Sequence, residues 1–124
     1  MTFEGIMDLV AVSLGAVGGA LARYGVTKWE RTAAISPWNI VGVNTLGSFV
    51  LGAASSSKGL SDRARLLVGV GFCGSFTTFS TYTVYAAGLM KAKDLNAAGM
   101  YLFVSNVAGI LAAILGARLL PSEY

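Results

Sequence analysis

Charge is confined to short intervals of this chain. Between Asp8 and Arg23, Arg31 and Lys58, Arg65 and Lys91, and Asp94 and Arg118 there is no Asp, Glu, Lys or Arg. The last three stretches can each supply the roughly 20 apolar residues that cross a bilayer core. The first is shorter, but Arg23 can snorkel to one interface while Asp8 sits at the other. The pattern predicts four transmembrane helices over residues 6–26, 38–55, 66–90 and 95–117, joined by loops at 27–37, 56–65 and 91–94. The expected fold class is an all-α membrane protein with a single four-helix domain over residues 1–124. No linker, internal repeat or low-complexity tract interrupts it.

Composition agrees with that class. Apolar residues make up 55% of the 124 and charged residues 12%, whereas a soluble domain has roughly a quarter of its residues charged. The first dozen residues lack a basic n-region and do not read as a cleaved signal peptide. Cys73 is the only cysteine, so no internal disulfide can form. Inside an apolar segment it reads as an inert small side chain. The net charge is +3, and the basic residues form no patch with interleaved aromatics, which argues against a nucleic-acid partner. Catalysis has no support either. Histidine is absent, no segment holds paired carboxylates, and soft or imidazole metal ligands are missing.

Four crossings put both termini and the second loop on one side. Lys58, Arg63, Arg65 and Arg118 lie there, against Arg23, Lys28, Arg31, Lys91 and Lys93 opposite. Four against five is no bias, although Lys and Arg normally concentrate on the cytoplasmic side. Insertion in both orientations is the simplest consequence, with a weakly biased single topology as the alternative, and chains of opposite orientation can pair as an antiparallel homodimer. The pairs Gly15–Gly19, Gly18–Ala22, Ser48–Gly52 and Ser105–Gly109 each place two small residues on one helix face, the pattern of closely packed membrane helices.

Polar residues concentrate in the third stretch. Ser75, Thr77, Thr78, Ser80, Thr81 and Thr83 follow Gly69, Gly71 and Gly74. β-Branched and glycine residues make a poor uniform helix, and a break or unwound turn is expected at residues 74–78. Unwound backbone at membrane depth persists only when buried in protein or lining a watery cavity. Hydroxyls can also bond back to carbonyls of their own helix, but six in nine positions exceed that habit. Phe76, Phe79 and Tyr82 recur at spacing three, as core or as rings whose positive edges meet an anion. Asn44 adds an amide to the second stretch. Tyr101, Ser105 and Gly109 share a face of the fourth, with Asn106 one position aside. Donors without intramembrane charge suit an anion.

These residues resemble the small fluoride-channel family called Fluc or CrcB. The likeness covers nearly the whole chain. It rests on Gly71-Phe72-Cys73-Gly74-Ser75-Phe76-Thr77-Thr78-Phe79-Ser80-Thr81-Tyr82, with support from Gly18-Gly19-Ala20-Leu21-Ala22-Arg23-Tyr24 and Asn44-Thr45-Leu46-Gly47-Ser48-Phe49-Val50-Leu51-Gly52. The resemblance implies a passive fluoride channel of the plasma membrane (the inner membrane in a bacterium). It would be an antiparallel homodimer with two pores and a third helix broken at midmembrane. It further implies a structural sodium ion on the two-fold axis, bound by the Gly74 and Thr77 carbonyls of both subunits. Fluoride would pass Phe79 and Tyr82, the Asn44 amide, and the Tyr101 and Ser105 hydroxyls. Thr78 and Ser80 would belong to the same path, and Arg23 would face a vestibule. Tyr82 stands where members usually carry phenylalanine, Ile40 where threonine is frequent, Gly109 where serine is common, and Ser75 in place of a usual glycine.

Two other readings compete. A small multidrug exporter needs a membrane carboxylate to exchange protons for a cationic drug, and Asp8 is the only candidate. A non-conducting assembly subunit needs glycine faces but no dense run of hydroxyls.

Overall fold

The computed structural model describes residues 1–29 and 37–120. Among these residues the chain is all helical: α1 (Phe3–Trp29), α2 (Pro37–Ser56), α3 (residues 62–76), α4 (Phe79–Lys91) and α5 (Leu95–Leu119). α3 and α4 follow one another in the third apolar stretch, leaving four helical rods. The expected loop at 27–37, Arg31 with it, falls largely outside the described residues. α1 runs through residue 29, and α2 opens on Pro37, whose missing N–H and fixed φ suit the first helical position. α3 starts inside the expected second loop. Ser61 caps it by accepting the Ala64 N–H at 3.2 Å. Between α4 and α5, Lys93 adopts a left-handed φ of 60°. The N–H groups of Lys93 and Asp94 bond back to the Met90 and Leu89 carbonyls, and Asp94 then caps α5 by accepting the Ala97 N–H.

Two parallel helix pairs make the bundle, and glycine sets both contacts. A Cβ on Gly15 would overlap the Leu67 carbonyl, and one on Gly19 the Phe72 carbonyl. Gly71 returns the contact, since a Cβ there would lie 2.5 Å from the Val12 carbonyl oxygen and 2.9 Å from Gly15 Cα. Residue numbers rise together, so α1 and α3 run in the same direction. On the other pair a Cβ on Gly52 would overlap the Ala113 carbonyl, and one on Gly116 the Phe49 carbonyl. Trp38 meets Tyr101, Ser48 meets Gly109 and Gly52 meets Ala113 in rising order, so α2 and α5 are parallel as well, which is what alternate crossings by four rods require. Of the small-residue pairs read from sequence, Gly15–Gly19 and Gly52 lie at these contacts. Gly18 instead meets only the Phe72 ring at 3.7 Å, and Gly109 meets Ser48 Oγ at 3.7 Å. Gly116, outside those pairs, makes one of the closest contacts.

Arg65 closes the end of α2. Its guanidinium donates to the carbonyls of Ala54 (3.3 Å), Ser55 (3.1 Å), Leu60 (3.4 Å) and Ser57. A helix C-terminus leaves carbonyls without intrahelical donors and carries partial negative charge. One fork-shaped cation meets both needs. Arg65→Ala is expected to lower stability by about 2 kcal/mol, within the range for hydrogen bonds to a charged group. Arg65→Lys should restore only part of it, because an ammonium lacks the fork. Thermal unfolding of the purified protein in detergent measures both.

Candidate ion pathway

The helical run that starts at Asp62 ends after Phe76. Its segment Leu66–Cys73 is wound in wide turns with i to i+5 hydrogen bonding, and the Gly74 N–H reaches back to the Gly69 carbonyl. Wide turns inside helices often accompany functional sites, and here the small residues Gly69, Gly71 and Cys73 permit them. Thr77 (φ −81°, ψ 160°) and Thr78 (φ −148°, ψ 115°) are then extended, and α4 begins at Phe79.

Asn44 of α2 holds this extended step from both sides. Its Nδ2 donates to the Thr78 carbonyl at 3.0 Å, and its Oδ1 accepts the Thr78 N–H at 2.8 Å. In a continuing helix that N–H would have bonded to the Gly74 carbonyl. The amide thus supplies both polar partners that the broken helix leaves out. The Thr78 hydroxyl caps α4 by accepting the Thr81 N–H at 3.3 Å, and it donates to Thr81 Oγ1 at 3.0 Å. Thr78 is 8% exposed. Glycine permits α2 to come this close, since a Cβ on Gly47 would overlap Thr77 Cγ2. At 1.5 Å rise per residue, α2 is roughly 30 Å long and Asn44 lies roughly 10 Å from its start.

Arg23 reaches the same level from α1, its Nε donating to the Ser75 carbonyl at 3.1 Å. An open groove of about 300 Å³ runs beside the step, lined among others by Asn44, Gly74, Thr77, Thr78 and Phe79. Phe79 is 76% exposed, and its ring sits 5.8 Å from that of Tyr82, which sits 5.6 Å from that of Tyr101. Tyr101 is 2% exposed. Its hydroxyl and that of Ser105, one turn further along α5, are buried without a hydrogen-bond partner among the described residues, as is the Thr45 hydroxyl.

Other hydroxyls of the run do bond back to their own helix: Thr77 to the Cys73 carbonyl at 2.9 Å and Thr83 to that of Ser80 at 2.9 Å. Ser80 Oγ lies 3.4 Å from Thr78 Oγ1. The structure therefore divides the residues picked from sequence. Asn44, Thr78, Gly74, Thr77 and Phe79 meet at the groove, while Tyr82, Tyr101 and Ser105 lie along α4 and α5. No group of three His, Cys, Asp or Glu side chains comes together among the described residues. Any cation held here would depend on carbonyl oxygens, a donor set for a hard ion.

The family profile described as CrcB-like protein, Camphor Resistance (CrcB), matches residues 10–117. The chain belongs to the CrcB-like family. Every site residue named above falls inside the matched range. The chain is 38% identical over 120 residues to the "Fluoride-specific ion channel FluC" of Thermus thermophilus, covering 93% of this chain and 94% of that protein. A protein of the same name from Roseiflexus is 38% identical over 124 residues, 93% of this chain and 100% of its own. "Fluoride-specific ion channel FluC 1" of Geobacillus kaustophilus is 41% identical over 106 residues, 85% of this chain and 90% of its own. As a member of a channel family this CrcB-like chain is a membrane protein. Its segments Phe3–Lys28 and Leu95–Leu119 are long and apolar enough to cross a bilayer.

Two side chains of this CrcB-like site went unassigned from sequence. Asn106 donates to Tyr82 Oη at 2.8 Å, a contact across 24 residues that no local pattern announces. Its sequence signal is an amide inside a charge-free stretch, one position aside from the Tyr101–Ser105 face. Thr45, with its buried unpartnered hydroxyl, has no signal beyond its neighbour Asn44.

Proposed function

We propose that this CrcB-like chain is a passive, fluoride-selective channel that relieves fluoride toxicity, working as an antiparallel homodimer with two pores. The observation that carries the reading is the pair of buried, unpartnered hydroxyls on Tyr101 and Ser105 beside the Phe79–Tyr82 rings. A buried hydroxyl without a partner is costly; a small anion passing along α5 would satisfy each in turn. Asn44, Thr78 and Ser80 would add polar contacts, with Arg23 drawing anions in. Hydrogen fluoride enters acidified cells uncharged, dissociates and traps its anion. A potential negative inside then drives fluoride out without a coupled ion. Closely spaced N–H, O–H and ring-edge donors can replace its tightly held water, as a wide basic pore could not.

Several features support the dimer and its membrane setting. The groove beside Thr77 and Thr78 is open next to an exposed Phe79. Lipid cannot solvate the backbone carbonyls that Asn44 leaves free there, whereas a second chain could cover them, and balanced loop charge favours pairing of opposite orientations. In that arrangement all four apolar stretches cross the plasma membrane (the inner membrane in a bacterium) and the third is broken at midmembrane. The Gly74 and Thr77 carbonyls would suit a sodium ion: the Thr78 N–H that would bond the first is taken by Asn44, and the Thr81 N–H that would bond the second is taken by the Thr78 hydroxyl. Two carbonyls per chain make a shell when the partner supplies two more. Such an ion would pin the paired steps together and take no part in transport.

Asp8 weakens the exporter reading. It accepts from Arg63 Nε at 3.3 Å, and Glu4 accepts from the same guanidinium. The hydrogen bond to Glu4, then that to Asp8, raises the Arg63 pKa further, so its charge stays on the carboxylates.

Liposomes loaded with fluoride and carrying purified protein test the proposal. Fluoride is expected to leave at a rate proportional to protein content, with chloride retained when it replaces fluoride. Equal leak of the two anions would end the selectivity claim. Crosslinks joining opposite ends of two chains would bear on the antiparallel pair.

A further inference from the structure

Asn106 decides which way hydrogen runs at Tyr82. Its Nδ2 lies 2.7 Å from the Leu102 carbonyl oxygen and 2.8 Å from Tyr82 Oη. A carbonyl only accepts, so the atom facing Leu102 is the amide nitrogen; the flipped amide would set two acceptors against each other. One of its hydrogens is spent on Leu102 and the other points at Tyr82, whose oxygen must accept. The phenol's own hydrogen is then directed elsewhere, and accepting one hydrogen bond makes that O–H a stronger donor. The bond to Leu102 also ties the amide to its own helix, so it cannot swing away.

We infer that the Tyr82 hydroxyl is a direct anion ligand of this chain and that Asn106 is the positioning residue that keeps it donating. The inference rests on the fluoride-channel reading. The Tyr82 ring lies between exposed Phe79 and buried Tyr101, at 5.8 Å and 5.6 Å, where the resemblance implies that fluoride passes the Phe79 and Tyr82 rings. An edge offers a weak positive potential, whereas an O–H offers a charge-assisted hydrogen bond. Together with the unpartnered Tyr101 hydroxyl, it provides two donors on neighbouring rings. Asn106 does not touch the ion, because both of its amide hydrogens are committed.

The test measures fluoride current through planar bilayers holding wild type, Tyr82→Phe, Asn106→Leu or both changes, read as the fluoride concentration at half-saturation. Tyr82→Phe keeps the ring and its packing and is expected to raise that concentration about tenfold, as losing one hydrogen bond to a charge should. Asn106→Leu should raise it about threefold in wild type and leave it unchanged in the Tyr82→Phe background, because the two side chains act through one hydroxyl. Unaltered half-saturation in Tyr82→Phe would overturn the ligand. An equal shift from Asn106→Leu in both backgrounds would overturn the positioning role and leave a packing effect. A wild-type protein that carries no fluoride fails earlier, at the channel reading, and takes the inference with it.

Discussion

Asn44→Asp is expected to stop fluoride efflux, cutting the rate by at least about a hundredfold. A carboxylate beside the path repels the anion directly. Two like unit charges 4 Å apart at an effective dielectric of 20 repel by about 4 kcal/mol, close to a thousandfold in occupancy. The substitution also strips the Nδ2 donor from the Thr78 carbonyl and sets an acceptor against an acceptor. Its other oxygen could still take the Thr78 N–H, as Asn44 Oδ1 does at 2.8 Å. Acidification separates the two losses. Protonation removes the repulsion and returns a donor, so efflux should recover in part as pH falls through the pKa of the introduced carboxyl. Fluoride-loaded liposomes measured at neutral and acid pH give the answer, with elution of the detergent-purified variant showing that it folds. Undiminished flux at neutral pH would take Asn44 out of the path.

Much of this bundle can be read in advance because membrane physics leaves few choices. Apolar stretches that leave no backbone group unsatisfied must be helices, and the charges at residues 8, 23, 31, 58, 65, 91, 94 and 118 bound those stretches, although α1 runs on through Asp8 and Arg23 and α3 through Arg65. Residues 74–78, predicted to resist a uniform helix, contain the extended pair Thr77 and Thr78. The rest depends on which helix lies beside which. Asn44 was legible as an unusual amide, but its two-point hold on Thr78 requires α2 to approach at Gly47. Arg65 read as one loop charge among several, although the end of α2 is folded back onto it. The wide turns of Leu66–Cys73 have no signature distinct from any glycine-rich apolar helix. The hydroxyl run reads in two ways at once, and the structure uses both: Thr77 and Thr83 bond back to their helix while Thr78 caps the next.

Gly15→Ala is expected to prevent assembly of the native bundle, with a loss of at least about 4 kcal/mol, large among single substitutions. The added methyl would overlap the Leu67 carbonyl oxygen and come within 2.9 Å of the Phe72 N. Both are backbone atoms, and no side-chain rotation relieves them. Gly19→Ala meets the Phe72 carbonyl in the same way and lies 3.0 Å from the Phe76 N. The contrast is Gly99→Ala, where nothing lies within 4 Å and alanine should add up to about 1 kcal/mol of helix propensity. Thermal unfolding in detergent compares the three: a native-like transition in Gly15→Ala would refute the parallel contact of α1 with α3. The consequence reaches the ion pathway, because the same contact sets the height of Arg23 beside Ser75. A variant that folded with α1 displaced should lose that hydrogen bond first, and fluoride efflux should fall while the Asn44–Thr78 pair, held from α2, stays in place.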